Sequence, residues 1–191
     1  GPADTIRCAP GDGGSGADST RAAASLCRRS RRAPRPPRLT FTQVSAGAYF
    51  ACGIKSDGTL ACWGSNSSGE STPPGGTFTQ VSAGRYHTCG VLTGGGLSCW
   101  GRNENGQIAV PGGTFTQVSA GHSHTCGLKT NGVSACWGWN YYSQSAPPLF
   151  LFTQVAAGWK HWCGRRIAGT LACWGDSSSG QATQPPGTFI D

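Results

Sequence analysis

The residues best suited to chemistry are the cysteines, three of which follow a histidine by two positions. His87, His124 and His161 each stand two residues before a cysteine. Eight of the ten cysteines form four pairs with a constant spacing: Cys52–Cys62, Cys89–Cys99, Cys126–Cys136 and Cys163–Cys173. On a β-strand, positions i and i+2 share a face, so one histidine and two cysteines could converge as three zinc ligands. A disulfide is the alternative.

The first cysteine pair favours disulfides. It has Phe50 where the other pairs have a histidine, which a metal site would need and a disulfide would not. We therefore expect four disulfides, no metal and no other cofactor. Each histidine is expected to hydrogen-bond to the backbone of a neighbouring loop. Cys8 and Cys27 remain, and we expect them to pair with each other.

Acidic residues are too scattered to indicate general acid–base catalysis. The repeats contain Asp57, Glu70, Glu104 and Asp176, and no two of them form a repeated pair. No G-x-S-x-G nucleophile motif and no phosphate-binding Gly-Lys-Ser/Thr loop is found. We therefore expect no enzymatic activity.

These residues recur because the chain contains four copies of a 37-residue unit. The phrase FTQVSAG or FTQVAAG opens the units 41–77, 78–114, 115–151 and 152–188, and a fifth start follows at Phe189. A fixed period of this size indicates a solenoid, propeller or array. Residues 1–40 match no unit. They are rich in Arg, Pro and Gly, and we predict a largely irregular N-terminal segment.

Each unit predicts three or four short β-strands. FTQVS is rich in strand-forming residues, and the two cysteines of a unit flank an Asp-Gly or Asn-Gly turn or its equivalent. In the first unit, Cys52 and Cys62 are equidistant from Asp57, so they face each other across the hairpin within disulfide range. The Trp after each second cysteine points to the opposite face and is expected to pack in the core or between blades. We predict an all-β fold: a β-propeller of four 37-residue blades, each with an internal hairpin disulfide.

The distribution of charge and the cysteines indicate the location of the protein and its class of partner. The net charge is +7, of which +5 lies in residues 1–40. Such a run usually forms a solvated arm, so nucleic-acid binding is not expected. No apolar stretch approaches the roughly 18 residues of a membrane-spanning helix. Disulfides, together with a glycosylation sequon at Asn66, predict an extracellular or cell-surface location.

Binding residues are sought where the copies differ. Two loops vary: one before the first cysteine of a unit, and one after Cys-Trp-Gly. Rigid scaffolds place recognition on loops, and Tyr, Trp and Arg are enriched at binding hot spots. The predicted binding residues are Tyr49, Arg85, Tyr86, His122, Trp139, Tyr141, Tyr142, Trp159 and Lys160.

The unit FTQVSAGHSHTCGLKTNGVSACWGWN resembles the propeller repeat of the regulator-of-chromosome-condensation superfamily. The matching elements are AG-x-x-H, the Asn-Gly turn, Trp-Gly, and the later Gly106-Gln107 and Gly180-Gln181. Its paired cysteines resemble the secreted branch, which includes crinkly-type receptor ectodomains and β-lactamase-inhibitory propellers. The family usually closes seven blades. The resemblance therefore implies an incomplete ring, a longer protein, or completion by another copy; closure at four blades would be unusual.

Three functions remain open at this point. The first is a non-catalytic extracellular module that binds another protein, or a glycan, through the variable loops. The second is a structural subunit of an extracellular filament, wall or surface assembly, in which copies of the chain pair. The third is polyanion binding through the Arg-rich arm.

Overall fold

The computed structural model describes residues 39–189, in which each repeat forms one three-stranded antiparallel sheet. We call these sheets blades 1 to 4. Their strands are β1 (Phe41–Ala46), β2 (Phe50–Lys55) and β3 (Leu60–Gly64); β4 (Phe78–Ala83), β5 (His87–Leu92) and β6 (Leu97–Gly101); β7 (Phe115–Ala120), β8 (His124–Lys129) and β9 (Ser134–Gly138); and β10 (Phe152–Ala157), β11 (His161–Arg166) and β12 (Leu171–Gly175). The all-β prediction is confirmed. In this range no helix could cross a membrane. The boundary drawn at residue 40 stays a prediction.

The turn between the second and third strands follows the Asp-Gly signal. In blade 1, Lys55 donates its N–H to the carbonyl of Thr59 at 2.8 Å, which leaves a short loop centred on Asp57. Gly58 has a φ of 81°, a left-handed conformation that glycine adopts at little steric cost. Asp57 Oδ1 accepts the N–H of Thr59 at 2.9 Å. The side chain and the glycine together fix the register of the hairpin.

Each hairpin is closed by the predicted disulfide. Cys52 lies directly opposite Cys62 in the strand register, and the other three pairs do the same. The disulfides are Cys52–Cys62, Cys89–Cys99, Cys126–Cys136 and Cys163–Cys173. In the first three blades the leading cysteine has no exposed surface, because the next blade covers it. The predicted Cys8–Cys27 pair lies outside the described residues.

Neighbouring blades pack the disulfide-bearing face of one sheet against the opposite face of the next. At the first interface, Cys52 and Ile54 contact a cluster that contains Phe78, Val81 and Trp100. None of these five side chains is more than 8% exposed. Equivalent clusters join blades 2 and 3 and blades 3 and 4. The expected packing of the repeated tryptophans between blades is confirmed at these interfaces.

The repeated Gln and Ser of the first strand hydrogen-bond each blade to the next. Val81 donates its N–H to Oε1 of Gln43, and Ala83 donates to Oγ of Ser45, both at 2.9 Å. The two later interfaces repeat these bonds at 2.7–3.0 Å. The sequence phrase FTQVSAG therefore encodes the contact between blades as well as a strand.

The side chains of the buried His87 and His124 do not bond to loop backbone as expected, so that prediction is wrong for these two residues. His87 Nε2 lies 2.9 Å from the hydroxyl of Thr125 in the next blade, and that hydroxyl donates to the carbonyl of Gln107 at 2.9 Å. The hydroxyl proton is thus already used, and His87 must donate from Nε2. Burial lowers the pKa of His87 to about 4, helped by the nearby His124 and His122, so the ring is neutral. The reason is geometric: the side chain points across the gap between blades.

Hydrogen bonds do not close the ring, because strand pairing stays within each blade. The face of blade 1 that has no preceding blade is open: Phe41, Val44 and Trp63 are 39%, 64% and 50% exposed. Their equivalents in blade 2 are the buried Phe78, Val81 and Trp100. The expectation of an incomplete ring holds for residues 39–189.

Candidate functional site: an aromatic and cationic rim

The two variable loops of each blade lie side by side at one end of the sheet. The residue that follows the third strand donates its backbone N–H to the loop that precedes the second strand. These bonds, 2.9–3.0 Å long, are Ser65 to Tyr49, Arg102 to Tyr86, Trp139 to Ser123 and Asp176 to Lys160. Because all four blades share this arrangement, the stretches that the sequence marks as variable form one surface. We call the nine predicted binding residues on it the rim.

On blades 1 and 2 the rim consists of two stacked tyrosines and Arg85, and Arg102 packs beside them. The rings of Tyr49 and Tyr86 stack with centroids 6.0 Å apart. The guanidinium of Arg85 lies 4.9 Å from the centre of the Tyr86 ring, and that of Arg102 lies 5.4 Å from it. Both are cation–π distances. Sequence analysis missed Arg102; its position directly after a third strand was the available signal. Arg102 also pairs with Glu104.

On blades 3 and 4 the rim is an aromatic cluster around a lysine. Trp139 stacks on Tyr141 at 6.2 Å, and Tyr142 packs edge-on against both rings, at 5.6 Å and 4.9 Å. The ammonium of Lys160 lies 5.0 Å from the ring centres of Tyr142 and Trp159 and 6.0 Å from that of Trp139. Tyr141 is 78% exposed and Trp159 is 61% exposed. Large aromatic surface therefore faces solvent beside a positive charge.

His122 joins the two halves of the rim. Its ring lies 5.5 Å from Trp159, and its Nε2 accepts a hydrogen bond from Nη1 of Arg85. Because a guanidinium only donates, Nε2 carries no proton, and Nδ1–H donates to the hydroxyl of Ser123 at 2.7 Å. Burial, followed by the charges of Arg85, Lys160 and Arg102, lowers the pKa of His122. A neutral imidazole is therefore held between two cations.

Two concave regions border the rim. A cavity of about 460 Å³ opens along the repeated Ala-Gly turns, with Arg85, His122 and Trp159 at its edge. A smaller pocket of about 190 Å³ lies between the loops, lined among others by Arg85, Trp139 and Lys160. All nine predicted rim residues are thus brought together, and none is isolated from the others.

A Glu or Gln side chain at the base of each outer loop, buried in blades 1 to 3, has a role that sequence analysis did not predict. Its oxygen accepts the backbone N–H of the residue two positions earlier, at 2.7–2.9 Å, in Glu70, Gln107, Gln144 and Gln181. The backbone carbonyl of Glu70 also accepts the indole N–H of Trp100 at 2.9 Å and the hydroxyl of Thr88 at 3.1 Å. In blades 1 and 2 this position therefore ties the loop to the next blade. The recurring Gly-Gln was its sequence signal.

Exchanging Glu70 for Gln, the residue of the other blades, tests this role. Burial alone would raise the pKa of Glu70, but hydrogen bonds from its own N–H, Ser65 and Ser68 outweigh burial and lower the pKa below its ordinary value of 4.5. The ionised carboxylate therefore stabilises the fold above pH 4.5, and this stabilisation is lost as the pH falls through the lowered pKa. The free energy of unfolding of Glu70→Gln should lie within about 1 kcal/mol of the parent value at neutral pH. It should fall less than the parent value in acid.

Glu70→Ala is the control, because it removes the acceptor and leaves the N–H of Ser68 without its partner, at a cost of about 1–3 kcal/mol. Urea unfolding at neutral pH and near pH 3.5 measures both variants. An equal loss for Gln and Ala at neutral pH would contradict the loop-holding role.

Asn66, the predicted glycosylation site, is exposed, but its side chain organises its loop. Its Nδ2 donates to the hydroxyl of Thr72, and its Oδ1 accepts the N–H of Ser71, both at 2.9 Å. Asn103 and Asn140 accept equivalent N–H groups in the next two blades. A structural role therefore accounts for this asparagine, and its glycosylation stays a prediction.

The acidic residues of the described range serve local structure. Asp57, Glu70 and Asp176 accept backbone N–H groups of their own turns or loops, and Glu104 pairs with Arg102. No group of three or more His, Cys, Asp or Glu side chains within residues 39–189 is placed to hold a metal ion.

Comparison with known families finds the regulator of chromosome condensation (RCC1) repeat at residues 41–70, 78–107, 115–144 and 152–181. Each match runs from the first strand to the Glu or Gln at the base of the outer loop. Among curated protein sequences, no significant match is found.

Solved structures with this architecture include two plant receptor ectodomains. The entire ectodomain of the receptor kinase CR4 from Physcomitrella patens is 34% identical, with a TM-score of 0.62; the match covers 71% of this chain and 39% of that one. The CRINKLY ectodomain of Arabidopsis thaliana ACR4 is 28% identical, with a TM-score of 0.62 and coverage of 76% and 52%. The chain thus spans about half or less of these ectodomains. Prp20p from Saccharomyces cerevisiae, at 15% identity, a TM-score of 0.70 and coverage of 82% and 50%, shares the fold.

Proposed function

The chain belongs to the family built from RCC1 repeats, and we propose that it is a non-catalytic, extracellular protein-interaction module that binds its partner through the rim. RCC1-like propeller domains mediate protein interactions. The yeast protein Prp20p has binding properties to Gsp1p and histones, and yeast RCC1 (Prp20) has been solved bound to Kap60. These proteins support the proposal that the scaffold serves for binding. The residues of the rim then determine which partner this chain binds.

The observation that carries the proposal is the continuity of the rim. The nine residues predicted from variation between repeats and from residue type form one run of ring, cation–π and hydrogen-bond contacts. Tyr49, Tyr141 and Trp159 keep more than 60% of their surface exposed. Exposed aromatic surface of this extent, on loops held by disulfide-closed blades, is typical of binding hot spots.

Two observations support an extracellular setting. Disulfides persist in oxidising compartments, and every described blade has one. The 34% identical neighbour is a receptor ectodomain. The Arg-rich segment proposed for polyanion binding lies outside the described residues.

Alanine at Tyr86 or at Trp159 tests the rim. The probe is a displayed library of random heptapeptides, selected on the immobilised full chain. Peptides enriched on the parent should bind each variant at least about tenfold more weakly, because a buried aromatic hot spot contributes more than about 1.4 kcal/mol. The melting temperature should stay within a few degrees of the parent value.

Trp63→Ala is the matched control: it removes an indole that is 50% exposed, away from the rim. Enriched peptides should bind it as they bind the parent. The proposal fails if the library yields no enriched peptide, or if Trp63→Ala weakens binding as much as Trp159→Ala.

Pairing between copies is a second candidate function, favoured by the open face of blade 1. Phe41, Val44 and Trp63 are covered at every equivalent position inside the chain, so this apolar face is suited to an assembly. Light scattering during size-exclusion chromatography decides this candidate. A monomer at every concentration would remove it.

A further inference from the structure

We propose that the 190 Å³ pocket in the rim binds the carboxylate of an acidic side chain on an extended peptide segment of the partner. The inference rests on the proposed function, because it names the chemistry that the rim recognises. The groups that carry it are the cations Arg85 and Lys160, the neutral His122 between them, and the indoles Trp139 and Trp159. All five line the pocket.

Lys160 is positioned by aromatic rings and keeps its donors open. Three ring centres lie 5.0–6.0 Å from its ammonium. Within residues 39–189 its Nζ makes no ion pair and no hydrogen bond. Asp176 attracts it electrostatically from the neighbouring loop, but that carboxylate accepts the N–H of Ser178 at 3.0 Å. An ammonium placed by π-faces, with its protons unused, is suited to accept an anion.

Arg85 supplies the second set of donors. Its guanidinium packs on Tyr86, and Nη1 donates to His122. No other hydrogen bond of this guanidinium, and no carboxylate partner for it, is found in the described part of the chain. Nη2 and Nε are therefore left for a ligand. The planar fork of Arg matches the two oxygens of a carboxylate.

His122 keeps the two cations uncompensated. Both of its nitrogens are used, one by Arg85 and one by Ser123, and the ring is neutral. The only ion pair in residues 39–189 is the one between Arg102 and Glu104. The pocket therefore has a positive field without an internal counter-ion.

The shape of the surface favours a peptide over an acidic sugar. Sugars stack on flat ring faces, whereas the ring of Tyr142 stands nearly perpendicular to those of Trp139 and Tyr141, at interplanar angles of 86° and 82°, so the cluster does not form one flat platform. A pocket of about 190 Å³ has room for one carboxylate with its methylenes between two indoles. The rim continues on both sides, to Tyr49 and to Tyr141, and offers apolar contacts to the neighbouring residues of the segment.

The heptapeptide selection on the full chain tests the inference. Enriched peptides should share an Asp or Glu at one position, next to apolar residues. Lys160→Gln and Arg85→Gln should each weaken binding of the best peptide about tenfold or more, the range for a charge-assisted hydrogen bond. Exchanging the acid of the peptide for its amide should weaken binding similarly. Lys160→Gln should then have little further effect, because the interaction is already absent.

Lys129→Gln is the matched control, since it removes the same charge at the opposite end of β8 and should leave affinity within about twofold, as expected when only long-range screened charge changes. Enriched peptides without an acidic position, whose binding still depends on Trp159, would overturn the carboxylate pocket and leave the proposed function intact. If the selection yields no peptide but the chain binds an oligogalacturonate, the carboxylate belongs to a sugar and the proposal of a peptide ligand is overturned. Binding of neither probe would overturn both proposals.

Discussion

Trp137→Ala is expected to destabilise the protein by about 3–5 kcal/mol, the usual cost of deleting a large buried aromatic side chain. Trp137 is 9% exposed and packs between blades 2 and 3 beside the buried Cys89. Its indole N–H also donates to the carbonyl of Gln107 at 2.9 Å. Alanine would leave a cavity and remove one of the two hydrogen bonds to that carbonyl, which the hydroxyl of Thr125 also reaches. Urea unfolding followed by circular dichroism measures the loss.

Trp63→Ala provides the comparison, because Trp63 occupies the same position of the repeat but lacks the covering blade and the indole hydrogen bond. It is 50% exposed, since no described blade covers it. Its replacement should cost less than about 1 kcal/mol, as for a surface site. Equal losses for the two variants would contradict the packing order of the blades.

The contrast between Trp63 and Trp137 shows what the sequence determines. The same letters in the same phase correctly predict strands, the hairpin and the face on which each Trp lies. They do not predict burial, because burial depends on whether a neighbouring blade is present. The arithmetic of Cys52 and Cys62 predicts the disulfide because a hairpin is local and Asp57-Gly58 fixes its centre.

Contacts between blades were harder to predict. Gln43 and Ser45 accept hydrogen bonds from residues 38 positions away, and a strand pattern does not say which sheet face meets which. His87 was given a backbone partner for the same reason: its true partner, Thr125, is distant in sequence and belongs to the next blade. Repetition itself was the overlooked signal, since polar residues kept in phase indicate a repeated contact.

For the rim, the types of residue were predictable and their arrangement was not. Variation between repeats singled out Tyr86 and Trp159, and loop position placed them at one end of a blade. That His122 connects Arg85 to Trp159 follows only from the curvature that brings three blades around one cavity. Whether these contacts bind a partner stays a prediction until the variants are tested.

Removing one disulfide should produce the second large effect. Cys89→Ser combined with Cys99→Ser frees a loop with a sequence separation of 10 in the unfolded chain. Chain entropy alone then predicts a loss of about 2–3 kcal/mol in the free energy of unfolding. Cys89 has no exposed surface, so lost packing and buried hydroxyls add to the cost.

The same double change at Cys163 and Cys173 separates the two contributions. The loop length is identical, but this disulfide is only half buried, because no described blade covers it. The free energy of unfolding of this variant should fall by the same chain-entropy contribution and by a smaller packing contribution. Unfolding in urea without reductant measures both variants. If neither double variant loses stability, the disulfides do not support the blades.

Mapping of the disulfides in natively purified protein tests most directly whether each repeat is a blade closed within itself. Trypsin and chymotrypsin cleave between the paired cysteines, for example after Lys129 and Arg165, so each intact disulfide should join two peptides of one repeat. The structure predicts Cys52 with Cys62, Cys89 with Cys99, Cys126 with Cys136 and Cys163 with Cys173. Free thiols at these positions, or links between different repeats, would contradict it.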